Sequence, residues 1–224
     1  MMQQIVIQGD ARLVQEYTTL CKEKDMEVRR EGTGDLALEL TTISLPTKRE
    51  RLVQLDTTLP PSSPILSSCV TVTIAEQATW VRHPARLVGI GAFPTLIAGS
   101  LIEYVAGEHT NSATRTSAEG FAEQLGKAAV FVEDSVGLVM PRILCMIVNE
   151  AYFALLEHVA EPDAIDTAMK LGTNYPRGPV EWAHAIGLRH IVAVLQALQR
   201  YYGEDRYRCA PLLWKAAQQS GEGG

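Results

Sequence analysis

Asp166-Thr167-Ala168-Met169-Lys170-Leu171-Gly172, continued a few residues on by Tyr175-Pro176-Arg177-Gly178-Pro179-Val180-Glu181, packs two prolines and a glycine into four consecutive residues. Pro176 and Pro179 restrict the backbone and Gly178 permits a sharp turn, so the segment reads as a corner between two helices. The helix before the corner is announced by Pro162 and Asp163 in its first turn and by Lys170 and Gly172 at its far end, matching the Pro-start, Gly-stop asymmetry and the helix dipole. Upstream, Leu144, Val148, Ala151 and Leu155 form one apolar stripe at helical spacing. Downstream, Ile191, Val194, Leu195, Leu198 and Tyr202 mark another amphipathic helix, and Pro211 opens a last one through Leu212, Leu213 and Ala216. From about Gly137 onward the chain is predicted to be helical throughout.

The first half has a different rhythm. Gln4-Ile5-Val6-Ile7 is a compact apolar run, a turn follows at Gly9-Asp10, and Leu13, Tyr17 and Leu20 then share one helix face. Strands are predicted at Met26 to Arg29, Asp35 to Leu40, Ile65-Leu66, Arg86 to Ile90, Leu101 to Ala106 and Ala129 to Val132. Helices are predicted at Lys48 to Thr57 and around Ala118, Ala122 and Leu125. Such alternation suits a largely parallel sheet, because parallel strands need crossover segments that cover the sheet's faces. The charged turn Glu133-Asp134-Ser135 separates the two regimes, which predicts an α/β domain over residues 1–135 and an all-α domain over 136–224.

Composition limits the function classes. The chain has 224 residues, 46% hydrophobic and 21% charged, with a formal charge of −6. That balance argues against nucleic-acid binding through general electrostatics, which draws on a surplus of Lys and Arg. Cys21, Cys69, Cys145 and Cys209 lie far apart with no CxxC pair, so reduced thiols are expected and no metal site is predicted. No basic leader or long uninterrupted apolar run is legible near the N-terminus or later, and a cytoplasmic chain that does not enter a membrane is expected.

The Asp166–Glu181 stretch, with Gly187-Leu188, Tyr202-Gly203-Glu204-Asp205-Arg206-Tyr207-Arg208 and Ala210-Pro211-Leu212-Leu213 in the same order and spacing, resembles the C-terminal domain of 3-hydroxyacyl-CoA dehydrogenases. The resemblance extends upstream through Asp35-Leu36-Ala37-Leu38-Glu39, Lys48, Pro60-Pro61, Ile65-Leu66-Ser67-Ser68, Pro84-Ala85-Arg86-Leu87-Val88-Gly89 and Leu101-Ile102-Glu103-Tyr104-Val105, nearly the whole chain. It implies a reduced Rossmann-like domain followed by a helical domain of the 6-phosphogluconate-dehydrogenase-like kind. It also implies NAD as cofactor, an acyl-CoA-like substrate, a place in fatty acid metabolism and a homodimer formed through the helical domain. Gly9, Glu39 and Lys48 fall at cofactor-side positions, Ser68 and Thr71 at substrate-side hydroxyl positions, and Glu103 at the partner carboxylate of the catalytic pair. The Tyr175–Pro179 segment itself reads as a structural corner rather than a catalytic element.

The departures from the family pattern carry as much information. Its dinucleotide turn needs glycines for backbone approach to a diphosphate, whereas Ile7-Gln8-Gly9-Asp10-Ala11-Arg12-Leu13 keeps only Gly9 and adds a carboxylate. Arg29 and Arg30 stand where an acid is expected; they suit either a phosphorylated ribose or solvated surface. Arg30 runs almost directly into the Asp35 strand, so the family's intervening helix and helical hairpin are absent. With Arg86–Gly89 fixing the register, the position of the catalytic His is Gly91, and Pro141 and Cys69 stand where substrate-contacting Asn residues are expected. A catalytically impaired or inactive family member is therefore predicted, with a non-catalytic dimer that binds an acyl-CoA-like ligand or a partner as the alternative.

Overall fold

The computed structural model describes residues 3–220. They divide after Val139 into two compact units. The break falls beyond the Glu133–Ser135 turn because Gly137, Leu138 and Val139 still belong to the first unit: the Gly137 N–H donates to Val70 O (2.8 Å), and Leu138 packs in that unit's core.

The first unit comprises β1 (Gln4–Gly9), α1 (Ala11–Glu23), β2 (Glu27–Arg29), β3 (Leu36–Leu40), α2 (Leu45–Thr58), β4 (Ile65–Ser68), α3 (Ile74–Ala78), β5 (Leu87–Ile90), β6 (Leu101–Val105), α4 (Ser112–Gln124) and β7 (Ala128–Phe131). Among the described residues these strands form a seven-stranded sheet in the order β2-β1-β3-β4-β5-β6-β7. Neighbours from β2 to β5 are parallel, β6 runs antiparallel to β5, and β7 runs parallel to β6. The strand order reverses at β1, which makes the crevice outside the C-terminal ends of β1 and β3 the topological switch point where open α/β sheets bind ligands. No helix connects β2 to β3. Residues 30–35 alone return the chain, and Gly34 lies against Gln4 O and the Val6 side chain, where an added Cβ would stand 3.0 Å from both. This short return replaces a βα unit and leaves the sheet one strand narrower at that edge than a six-stranded doubly wound sheet.

Alternating side chains divide the core between the two sheet faces. Ile5, Ile7, Leu38, Leu66, Val88, Ile90 and Tyr104 pack with Leu13, Val14 and Tyr17 of α1 and Ala118, Phe121 and Ala122 of α4. On the other face Val6, Ala37, Ile65, Leu87 and Val105 pack with Leu52 and Leu55 of α2 and with Ile74 of α3. Every residue of β3 is buried, as expected for a strand covered on both faces. A buried clasp pins the lower loops: the Arg86 guanidinium donates to Asp56 Oδ1 (2.9 Å) and to Leu59 O (3.3 Å), and the Arg82 N–H donates to Asp56 Oδ2 (2.7 Å). Burial opposes the charged form of Asp56, but the Arg82 N–H and the Arg86 guanidinium outweigh it and hold the carboxyl below its ordinary value.

The second unit contains α5 (Met140–Leu156), α6 (Pro162–Thr173), α7 (Pro179–Ile186), α8 (Leu188–Tyr202) and α9 (Pro211–Gln219). The deciding stretch is a structural corner. Asp166 is buried within α6, and its two carboxylate oxygens accept from the N–H groups of Val180 (2.8 Å) and Glu181 (3.0 Å) at the start of α7. An added Cβ on Gly178 would collide with the Asp166 backbone and side chain, so glycine is required by this close approach. Glu181 completes the corner by accepting from the Gly178 N–H (3.0 Å) and from Lys170 Nζ (2.5 Å). The predicted stop at Gly172 is corrected: α6 runs through it to Thr173, and Asn174 ends the helix in the left-handed region at φ 56°. Asn can occupy that region, so the C-terminal cap did not need the glycine. No helix among the described residues is long and apolar enough to cross a membrane.

Candidate active site at the C-terminal ends of the strands

Gly91 follows β5 directly and faces β6. Its N–H donates to Glu103 O (2.7 Å), and a Cβ at position 91 would lie 3.0 Å from Glu103 Cβ. A side chain at 91 would thus stand beside Glu103, which is the geometry an imidazole–carboxylate pair needs. That room is filled. Leu138 Cδ1 lies 3.0 Å from the Cβ position, and Leu138 is 4% exposed within the second core cluster. The Glu103 carboxylate, itself buried, accepts from the Val139 N–H (3.2 Å). Gly137 and Leu138 both have positive φ (82° and 49°), and this turn brings the Leu138 side chain and the Val139 amide to the Gly91–Glu103 pair.

The switch-point crevice lies at the neighbouring strand ends. Gly9, at φ 148°, keeps the tight-turn role: a Cβ there would stand 2.5–2.7 Å from Leu40. Asp10 precedes α1 as its N-cap residue, but its side chain does not cap that helix. It reaches across to the loop after β3, where Asp10 Oδ2 accepts from Thr42 N (2.7 Å), Thr42 Oγ1 (2.8 Å) and Ile43 N (3.2 Å). Thr71 extends the contact by donating from Oγ1 to Thr42 O (3.1 Å), and Ser68, fully buried, donates weakly to Ala92 O (3.4 Å). Ser68 ends β4 and Thr71 lies in the loop after it, with their hydroxyls directed to backbone carbonyls.

Glu39 and Lys48 were expected on the cofactor side. Their side chains point instead into the α2 face of the sheet, 0% and 1% exposed, and pair with each other. Lys48 Nζ also donates to Ser67 Oγ (3.0 Å), Ser67 Oγ meets Gln77 Oε1 (2.5 Å), and Gln77 Nε2 donates to Ser68 O (3.0 Å). A carboxylate buried so deeply must be paired, and an ammonium on α2 supplies the pair; neither group reaches the crevice. Cys69 lies beneath Gly89, its thiol pushed well up by burial and so protonated at neutral pH. Outside the site, His109 is exposed and His83 Nδ1 lies 3.2 Å from Asp56 Oδ1. No group of three His, Cys, Asp or Glu among the described residues could hold a metal ion. Sequence reading missed Thr42, Ile43, Leu138 and Val139, which act through backbone amides, the Thr42 hydroxyl or apolar bulk; the one local signal was Gly137, which admits the positive-φ turn.

Residues 12–135 match the family model for the NAD binding domain of 3-hydroxyacyl-CoA dehydrogenase, and residues 137–223 match the model for its C-terminal domain. The chain belongs to the 3-hydroxyacyl-CoA dehydrogenase family. It is 34% identical over 182 residues to a probable 3-hydroxybutyryl-CoA dehydrogenase of Bacillus subtilis, covering 81% of this chain and 63% of that protein. To the probable 3-hydroxybutyryl-CoA dehydrogenase of Deinococcus radiodurans it is 35% identical over 195 residues, covering 84% and 70%. The chain thus spans about two thirds of the length of these relatives. Its fold is similar to that of the crystal structure of an (S)-3-hydroxybutyryl-CoA dehydrogenase from Ralstonia eutropha, with a TM-score of 0.77 at 24% identity over 98% of this chain and 94% of that one.

Proposed function

We propose that this chain is a 3-hydroxyacyl-CoA dehydrogenase family member that does not oxidise 3-hydroxyacyl-CoA. The observation that carries the reading is the filled base position: Gly91 faces Glu103, Leu138 occupies the adjoining room, and the Val139 amide engages the carboxylate. A positioned general base supplies about 10²–10⁴-fold in rate, and nothing at position 91 can take the hydroxyl proton. The turn residues also do not fit NAD, since the Asp10 carboxylate already uses donors at the switch point. NAD binding is weak or absent on this reading.

The ligand class follows from the relatives, named as 3-hydroxybutyryl-CoA dehydrogenases: a short acyl-CoA-like thioester held without turnover. Homodimerisation through the helical unit accompanies this reading. Its support is apolar exposure in that unit, with Leu171 83%, Val159 70% and Ile143 52% exposed. Calorimetry tests the assignment. Acetoacetyl-CoA titrated into the protein without cofactor should give a saturable heat and NADH should give none; saturable NADH binding would contradict the reading.

A further inference from the structure

We infer that Asp10 acts as a built-in anion that closes the dinucleotide crevice, so that its removal would expose a phosphate-binding site. The inference rests on the non-catalytic reading and names the group responsible for the cofactor misfit. Three donors converge on one oxygen of Asp10, two of them backbone N–H groups from the loop after β3. Convergent backbone N–H groups are what an anion requires, and charge-assisted bonds to a carboxylate are about twice as strong as neutral ones. The N-terminus of α1 opens beside this point: the Val14 N–H bonds Asp10 O (2.9 Å), and the Asp10 side chain is turned to the loop after β3 rather than capping the helix. Arg12, the nearest cation on α1, is paired with Glu16 (3.2 Å). The crevice therefore presents a carboxylate rather than free donors, and a diphosphate entering it would meet like charge and occupied N–H groups.

Thr71 supports the same arrangement from a third strand end, because its hydroxyl holds the carbonyl of the residue that binds Asp10. Asp10, Thr42 and Thr71 thus join the loops after β1, β3 and β4 in one polar chain across the place where a family dinucleotide is expected.

The test uses ADP and, separately, inorganic phosphate, titrated calorimetrically into the wild-type chain and into Asp10→Ala and Asp10→Asn variants checked by circular dichroism. Wild type should show no saturable binding at millimolar concentrations. Asp10→Ala should bind ADP at least tenfold more tightly than wild type, and Asp10→Asn, which keeps an acceptor oxygen without the charge, should gain less. Saturable millimolar binding by wild type would overturn the inference. So would the absence of a gain in folded Asp10→Ala or, should that variant not fold, in the near-isosteric Asp10→Asn. Failure here is distinguishable from failure of the non-catalytic reading, which shows as NADH-dependent turnover by wild type whatever the variants bind.

Discussion

Restoring the missing base by Gly91→His should cost stability and return no activity. The new Cβ would begin 3.0 Å from both Glu103 Cβ and Leu138 Cδ1, tighter than ordinary contact, and the imidazole must then share the room that Leu138 fills. Overpacking of this kind typically costs about 1–3 kcal/mol, and swinging a buried leucine out to water costs about 1.5–3 kcal/mol, so a loss of roughly 1–3 kcal/mol is expected. Urea unfolding followed by circular dichroism reads this as a lower midpoint at unchanged slope. The double variant Gly91→His/Leu138→Ala should show positive coupling, because the smaller side chain vacates the space the ring needs. Absorbance at the nicotinamide band should stay flat for both variants with acetoacetyl-CoA and NADH, since Asp10 still closes the cofactor crevice. A Gly91→His protein as stable as wild type would refute the packing argument, and turnover by it would refute the claim that the cofactor site is closed.

Gly178→Ala should disrupt the α6–α7 corner, because the added methyl collides with Asp166; a loss of helical ellipticity or of the cooperative transition of the helical unit would register it. Arg86→Met should cost about 3–5 kcal/mol by removing the cation paired with the buried Asp56 carboxylate, which keeps only the Arg82 N–H and His83 as partners. Because the Asp56 carboxyl is held below its ordinary 3.8, its contribution is full above that pH and is lost as pH falls through the lowered folded value. The stability difference between wild type and Arg86→Met should therefore shrink in acid; a gap that widens there would contradict the clasp. Tyr104→Phe should be neutral or stabilising by up to about 1 kcal/mol, since the phenol oxygen is buried with no hydrogen-bond partner, and a marked drop in melting temperature would show that this hydroxyl has a partner in solution.

Much of the fold was legible because it rests on local chemistry. The run Leu36–Leu40 reads as a strand from its apolar residues, and the Pro176–Pro179 corner from its backbone constraints. The pairing of position 91 with Glu103 was expected only from the family resemblance; the antiparallel register of β5 and β6 that brings the two positions together was not legible in the sequence. What was hidden depends on contacts between distant segments. Asp10 was recognisable as an ill-placed charge, but its partners at Thr42 and Ile43 are set by parallel pairing of β1 with β3. Leu138 could not be assigned from sequence, because a leucine just past a predicted boundary gives no sign that it packs against Gly91. Glu39 and Lys48 were misplaced for a related reason: strand alternation put Glu39 on a face, but only the α2 packing revealed which charge it meets there.

The central claim is most directly tested by following NADH absorbance while the purified chain is mixed with acetoacetyl-CoA at saturating concentrations. A trace indistinguishable from the protein-free control is predicted. A rate that rises with enzyme concentration and saturates with both NADH and thioester would contradict it.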